Sequence, residues 1–346
     1  MRRNNSGVFR MAVTHGGDVF AVARKHGWDW RDVDDFSANI NPLGPSPLVK
    51  PAICQATDRI VHYPEREPAR LREALAHAWN LDNNQILLGN GATELIFFVA
   101  RVFLSTPATL ALPVFSEFHR AFPEFRTATL INPDTWPREG LLVLTRPANP
   151  TGWTLPLETL RDYLHSSNAA VLIDESFLEF SGLPSAAALI EQHPRLMILR
   201  SLTKFYALPG IRVGALVGDP SAVALWNKQR EPWQVNVLAE EAALAAVSDT
   251  AHGERSLAFV QSERHWLLHQ LGSMAGAEPF STHANFIFVR LAYRAAALSD
   301  HLLRYRILVR DCAEWPGVSG EAVRIAVRQR DQNVRLLNAW REFRCD

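Results

Sequence analysis

Charge of one sign is what this chain lacks most plainly: its 36 lysines and arginines balance 36 aspartates and glutamates, for a formal net charge of +0. Nucleic acid is therefore not an expected partner, and a phosphorylated substrate would have to be met by local arginines rather than by a global field. Cysteine is scarce. Cys54, Cys312 and Cys345 are odd in number and scattered, with no C-x-x-C spacing. That excludes a disulfide framework or a zinc site and suits a reducing, cytoplasmic setting. Long apolar runs are missing too, since the most apolar stretch, Ile86 to Leu104, is broken by Gly89, Asn90, Gly91, Glu94 and Arg101. Neither a membrane span nor a signal peptide is expected, because Arg2 and Arg3 are not followed by an apolar core. The sequence also has no internal repeat, low-complexity tract or long charge run.

What is there is a chain of 346 residues, 47% hydrophobic and 10% aromatic, long enough for one large domain and a smaller one. Its middle alternates short apolar runs with amphipathic stretches: Ile86 to Leu88, Thr109 to Leu112, Leu141 to Leu144, Val171 to Ile173 and Met197 to Leu199. The alternation predicts an α/β fold with a mostly parallel central sheet between helices, whose ligands sit at the carboxyl ends of the strands. After about residue 245 the pattern changes to a long helical stretch through Glu263 to Leu271. Strands at Asn285 to Val289 and Val323 to Val327 follow, then a terminal helix, which together predict a smaller α+β domain. The expected division is an N-terminal arm and part of the small domain over 1–46, a large domain over 47–245 and a small C-terminal domain over 246–346. Asn41-Pro42-Leu43-Gly44-Pro45-Ser46-Pro47 reads as an ordered arm or turn rather than a flexible linker.

Polar clusters stand where the apolar runs end. Gly89-Asn90-Gly91-Ala92-Thr93-Glu94 follows the first, Asn149-Pro150-Thr151-Gly152 the third, Asp174-Glu175 the fourth and Ser201-Leu202-Thr203-Lys204 the fifth. Lys204 is the most informative of these residues. An amine that condenses with an aldehyde must be partly uncharged, and a phosphate beside it needs hydroxyl donors and a fixed cation. Ser201 and Thr203 bring the hydroxyls, while Arg212, just past a Pro-Gly turn, brings a guanidinium. The pattern points to pyridoxal 5'-phosphate (PLP). Gly91, Ala92 and Thr93 open a helix whose free N–H groups could hold the cofactor's phosphate. Asp174 could pair with a protonated ring nitrogen, or simply cap a helix. Asn149 could donate to the ring oxygen, or simply start a turn. Phe115 could stack on the ring, with Phe118 as an alternative.

Taken in order, these segments, with Arg212 eight positions past the lysine, resemble the fold-type I PLP enzymes of the aminotransferase class. Within that class the chain resembles the histidinol-phosphate aminotransferase group and, most closely, the L-threonine O-3-phosphate decarboxylases of cobalamin biosynthesis. The closer resemblance rests on His15-Gly16-Gly17, on Asp35-Phe36-Ser37-Ala38-Asn39-Ile40-Asn41-Pro42-Leu43-Gly44, and on Lys204-Phe205-Tyr206-Ala207-Leu208-Pro209-Gly210. It implies that His15, Asn39, Arg310 and Arg324 bind the substrate's phosphate and carboxylate, and that Lys204 and Asp174 are catalytic. It also implies that Tyr63 reaches the phosphate of a neighbouring subunit's cofactor, hence a homodimer with shared sites. No metal is implied. The implied reaction is loss of carbon dioxide from threonine phosphate, with amino transfer from histidinol phosphate, decarboxylation of serine phosphate and a non-catalytic PLP-binding role as rivals. Two departures stand out. Phe177 occupies the place of a common tyrosine, and Arg146-Pro147-Ala148-Asn149 replaces the usual Asn-Pro-x-Asn opening.

Overall fold

The structure, a computed structural model, describes residues 16–344. Its largest element is a seven-stranded sheet. In chain order the strands are β1 (Ile86–Gly89), β2 (Ala108–Leu112), β3 (Phe125–Thr129), β4 (Leu141–Thr145), β5 (Ala170–Asp174), β6 (Leu196–Ser201) and β7 (Gly214–Val217). Across the sheet they run β1-β7-β6-β5-β4-β2-β3. Only β7 is antiparallel to its neighbours. The central strands are continuous apolar runs because both faces are covered. Leu142, Leu144, Val171 and Ile173 join one apolar layer, whereas Leu141, Val143, Ala170 and Leu172 join the other.

Two strands lay beyond the sequence expectation. Phe125–Thr129 is an edge strand with four of five residues exposed, so its composition carries little apolar signal. Gly214–Val217 has only four residues and opens on glycine. That glycine is needed. Paired between Gly89 and Ser201, a Cβ on Gly214 would lie 2.7 Å from the Ala92 amide nitrogen, where the next helix begins.

The smaller domain is a four-stranded antiparallel sheet of β8 (Ala277–Pro279), β9 (Phe286–Leu291), β10 (Arg310–Asp311) and β11 (Ala322–Ala326), in the order β10-β11-β9-β8. Helices Thr250–Leu271, Ala295–Leu303 and Arg330–Arg341 cover it, with Leu267, Leu298, Ile325 and Trp340 in a shared core. The described part of the arm packs against this domain: Asp34–Asp35 pairs in parallel with Ile307–Leu308, and the Ala326 amide donates to the Phe36 carbonyl at 2.9 Å. It then crosses to the large domain at Asn41. The amide of Asn41 donates to the Lys204 carbonyl at 3.1 Å and its side chain donates to the Phe205 carbonyl at 2.8 Å.

Candidate active site

The carboxyl ends of the parallel strands, the amino end of β7 and the faces of the arm and small domain enclose one cleft, lined by Lys204, Asp174, Asn149, Arg212, Arg310 and Arg324 among others. One end of it has the donors a phosphate would need. Helix α1 (Gly91–Val102) begins without a side-chain cap, so its first N–H groups are available to an anion. Gly91 sits at φ +79°, and a Cβ there would lie 2.6 Å from the Arg212 guanidinium. Glycine therefore makes room for the arginine as well as for the turn. Ser201 and Thr203 are buried with their hydroxyls 2.7 Å apart, and Ala92 and Thr93 line the same end.

Behind this end stand the groups that tune a ring and an amine. Asp174 ends β5, is buried, and accepts from the Ser176 amide at 2.9 Å. Burial pushes its carboxyl above the ordinary value, against hydrogen bonds from Ser176 and the charge of Lys204. A buried carboxylate that opens to the cleft is stabilised by a cation placed against it. Lys204 is only partly exposed. Burial, then the charges of Arg324 and Arg212, pulls its amine down to about 8. Phe115 lines the cleft, whereas Phe118 is fully buried in the core of the large domain. Asn149 accepts from Arg324 through Oδ1 at 2.5 Å, which leaves its amide NH2 as a donor.

The opposite wall is cationic. Arg310 and Arg324 are Cα partners across β10 and β11, and like charges placed directly opposite destabilise a sheet unless an anion joins them. Arg324 is buried, donates to the Ser37 carbonyl at 2.6 Å, and is pulled down by burial to about 10. Its Nε and the Oδ1 of the buried Asn39 have no hydrogen-bond partner among the described residues. His15 lies outside the described residues. Tyr63 is away from this chain's cleft, 80% exposed and stacked on Trp233 with centroids 4.6 Å apart.

The two departures have structural answers. Phe177 is buried with its ring edge-on to Phe286 at 5.1 Å, so an apolar contact replaces a hydroxyl. Arg146 turns away from the cleft. It donates to the carbonyls of Leu155 and Pro184 at 2.9 and 2.8 Å and pairs with Glu175 at 3.4 Å. Arg200, just before Ser201, meets the same Glu175 at 3.4 Å and Glu179 at 3.6 Å. Residues that sequence reasoning passed over include Ser37, Asn41, Ser176, Gly214 and Trp315. A Trp-Pro-Gly turn is visible at Trp315, but nothing in the sequence says that its ring faces the cleft.

The donor set suits PLP: a lowered amine, a buried carboxyl for the ring nitrogen, an amide for the ring oxygen, and a phosphate end made of helix N–H groups, hydroxyls and Arg212. Among the described residues no helix is long and apolar enough to cross a membrane, and no group of His, Cys, Asp or Glu side chains could hold a metal ion. The family model described as aminotransferase class I and II matches residues 31–339. Threonine-phosphate decarboxylase of Salmonella typhimurium is 35% identical, across 94% of this chain and 95% of its own. Among solved structures, L-threonine-O-3-phosphate decarboxylase from Porphyromonas gingivalis shares 25% identity with a TM-score of 0.81, covering 88% of this chain and 97% of the other. Histidinol-phosphate aminotransferase from Clostridium acetobutylicum shares 27% identity with a TM-score of 0.81, covering 89% and 98%. The chain belongs to the aminotransferase class I and II family, with a fold-type I architecture.

Proposed function

We propose that this protein is a PLP-dependent carboxy-lyase that converts L-threonine O-3-phosphate to (R)-1-amino-2-propanol O-phosphate, the linker of the cobalamin nucleotide loop. The observation that carries the substrate reading is the cross-strand pair Arg310 and Arg324, set on the wall opposite Asp174 and within the same cleft as Lys204. A small molecule bearing both a carboxylate and a phosphate relieves the repulsion between two such arginines. The full-length similarity to the Salmonella decarboxylase supports the same reading.

PLP supplies an aldehyde that takes up an amine and a ring that accepts an electron pair from Cα. The chain's own groups do the rest. Arg324, fixed by Asn149 and Ser37, orients one substrate anion, and Arg310 beside it holds the other, with His15 and Asn39 as further donors on the arm. Asp174, buried at the end of β5, would meet the ring nitrogen, whose protonated form stabilises the carboxylate against the upward push of burial. Lys204, with its amine near 8, exchanges its proton close to neutral pH and is placed to return one to Cα after carbon dioxide leaves. Ile96, Phe115, Phe177 and Trp315 line the cleft with apolar surface that excludes water.

The exposed ring of Tyr63, beside exposed Ile60 and Val61, supports a homodimer in which this segment reaches the partner's phosphate end. The chain division at residues 46 and 245 and a cytoplasmic location complete the proposal. The decisive assay measures carbon dioxide release from PLP-loaded protein with L-threonine O-phosphate and no keto acid, with histidinol phosphate plus 2-oxoglutarate in parallel. Release in the first with negligible amino transfer in the second is expected; the reverse makes the enzyme an aminotransferase. Serine phosphate lacks one methyl group, worth about 1–3 kcal/mol of discrimination, so it should turn over less efficiently.

A further inference from the structure

Trp315 is a large aromatic of the small domain that lines the cleft and reaches the large domain. It lies in the turn between β10 and β11, where its amide donates to the Cys312 carbonyl at 3.1 Å and the Val318 amide donates to its carbonyl at 2.9 Å. Its ring is buried, lines the cleft and packs with Phe288, Cys312 and Ala322. Arg310 and Arg324 both lie over that ring, at 5.3 and 5.9 Å from its centroid. A shared aromatic face attracts each guanidinium and so holds together two cations that otherwise repel. The indole N–H points the other way, donating to the Val114 carbonyl at 3.0 Å in a buried contact between domains. Val114 immediately precedes Phe115 on the cofactor-ring side. Two residues after Trp315 the same turn is pressed onto the large domain again: a Cβ on Gly317, at φ +84°, would lie 2.6 Å from the Leu112 Cβ and 3.1 Å from the Pro113 nitrogen.

We propose that Trp315 is a positioning residue that registers the arginine pair of the small domain against the Val114-Phe115 segment of the large domain. One side chain thereby sets the distance between the substrate's anions and the reacting end of the cleft. The inference rests on Arg310 and Arg324 being the anion-binding pair. Trp315→Phe keeps a ring beneath the arginines and deletes only the interdomain hydrogen bond; Trp315→Ala deletes both; Gly317→Ala strains the same turn without touching either arginine.

The test combines steady-state kinetics with hydrogen exchange read by mass spectrometry on PLP-loaded protein. Loss of one buried hydrogen bond should raise KM for threonine phosphate about threefold to tenfold in Trp315→Phe. Trp315→Ala should raise it further, and in both variants the affinity for PLP should stay within about twofold because Gly91, Ser201, Thr203 and Arg212 are untouched. Exchange should accelerate together in residues 112–118 and 322–326 in both variants and in Gly317→Ala, without any substrate present. Unchanged KM in both tryptophan variants, or faster exchange confined to 312–318, would overturn the proposal, even if melting temperatures fall. Should wild-type protein fail to release carbon dioxide, the proposed function falls while the exchange measurement still decides the role of Trp315.

Discussion

Two arginines mark the two ends of the cleft, and they are held in opposite ways. Arg212 is exposed, sits against a glycine, and donates to the Pro209 carbonyl at 3.3 Å. Arg324 is buried, fixed at 2.5 and 2.6 Å by Asn149 and Ser37, and lowered to about 10 by that burial. An exposed cation is screened by water and shares its anion with helix N–H groups and hydroxyls, so no single donor dominates. A buried cation has already lost its hydration and gains more from each anion contact, because little water competes. On the proposed reading the cofactor end is thus redundant and the substrate end is not. Lys204 stands between them and feels both charges.

Breaking the element common to both ends has the largest effect. Lys204→Ala should lower turnover by about 10³- to 10⁴-fold and abolish the absorption band of lysine-bound cofactor. A variant with normal turnover and that band intact would refute the assignment. Next comes the buried end: Arg324→Ala should cost about 2–4 kcal/mol in kcat/KM, with PLP affinity little changed. Arg212→Ala should show the mirror image, weakening PLP about tenfold at low salt with a smaller change in KM. Equal effects of the two substitutions on KM would erase the contrast.

The Lys204 amine also taxes the cofactor-free protein. Its value falls from 10.5 to about 8 on folding, so between those pH values the unfolded chain binds more protons and stability rises with pH. Below pH 8 the full penalty applies. Lys204→Met should therefore stabilise cofactor-free protein at pH 7 by on the order of 1–3 kcal/mol, the gain fading as pH approaches 10.5, as urea midpoints would show. The smallest effect belongs to Phe177→Tyr. A hydroxyl added there should change turnover by less than about threefold, while the edge contact with Phe286 is retained.

The residues proposed to hold the cofactor stood out more in the sequence than those proposed for the substrate, and the reason is geometric. Parallel strands covered on both faces read as apolar runs, so Gly91, Asn149, Asp174 and Ser201 declared themselves by standing where runs stop. Strand β7 escaped because four residues opening on glycine resemble a loop. The substrate end is assembled by pairing between distant segments. Arg310 becomes meaningful only opposite Arg324, and Ser37 contributes a backbone carbonyl that any residue could offer. Spacing carries no trace of either fact, so resemblance alone pointed to Arg310 and Asn39, whereas Arg324 also stood out as a charge within the apolar pattern Val323 to Val327. Trp315 was invisible for a related reason, since its ring direction depends on the turn that Gly317 allows.

Arg146, Glu175 and Arg200 form a buried bridge behind β4, β5 and β6, three positions before Asn149 and next to Asp174 and Ser201 in the chain. For anyone grafting this cleft onto another scaffold, the visible residues come with hidden luggage. Installing Arg146 alone would strand a charge in the interior, and removing Glu175 alone would strand Arg146 and leave Arg200 with Glu179 as its remaining carboxylate. Substitutions at these three positions should be strongly epistatic: each harmful singly, tolerable as a set. A library that varies them together, with the cleft-facing residues fixed, samples ways of retuning the site that single-residue scans cannot reach.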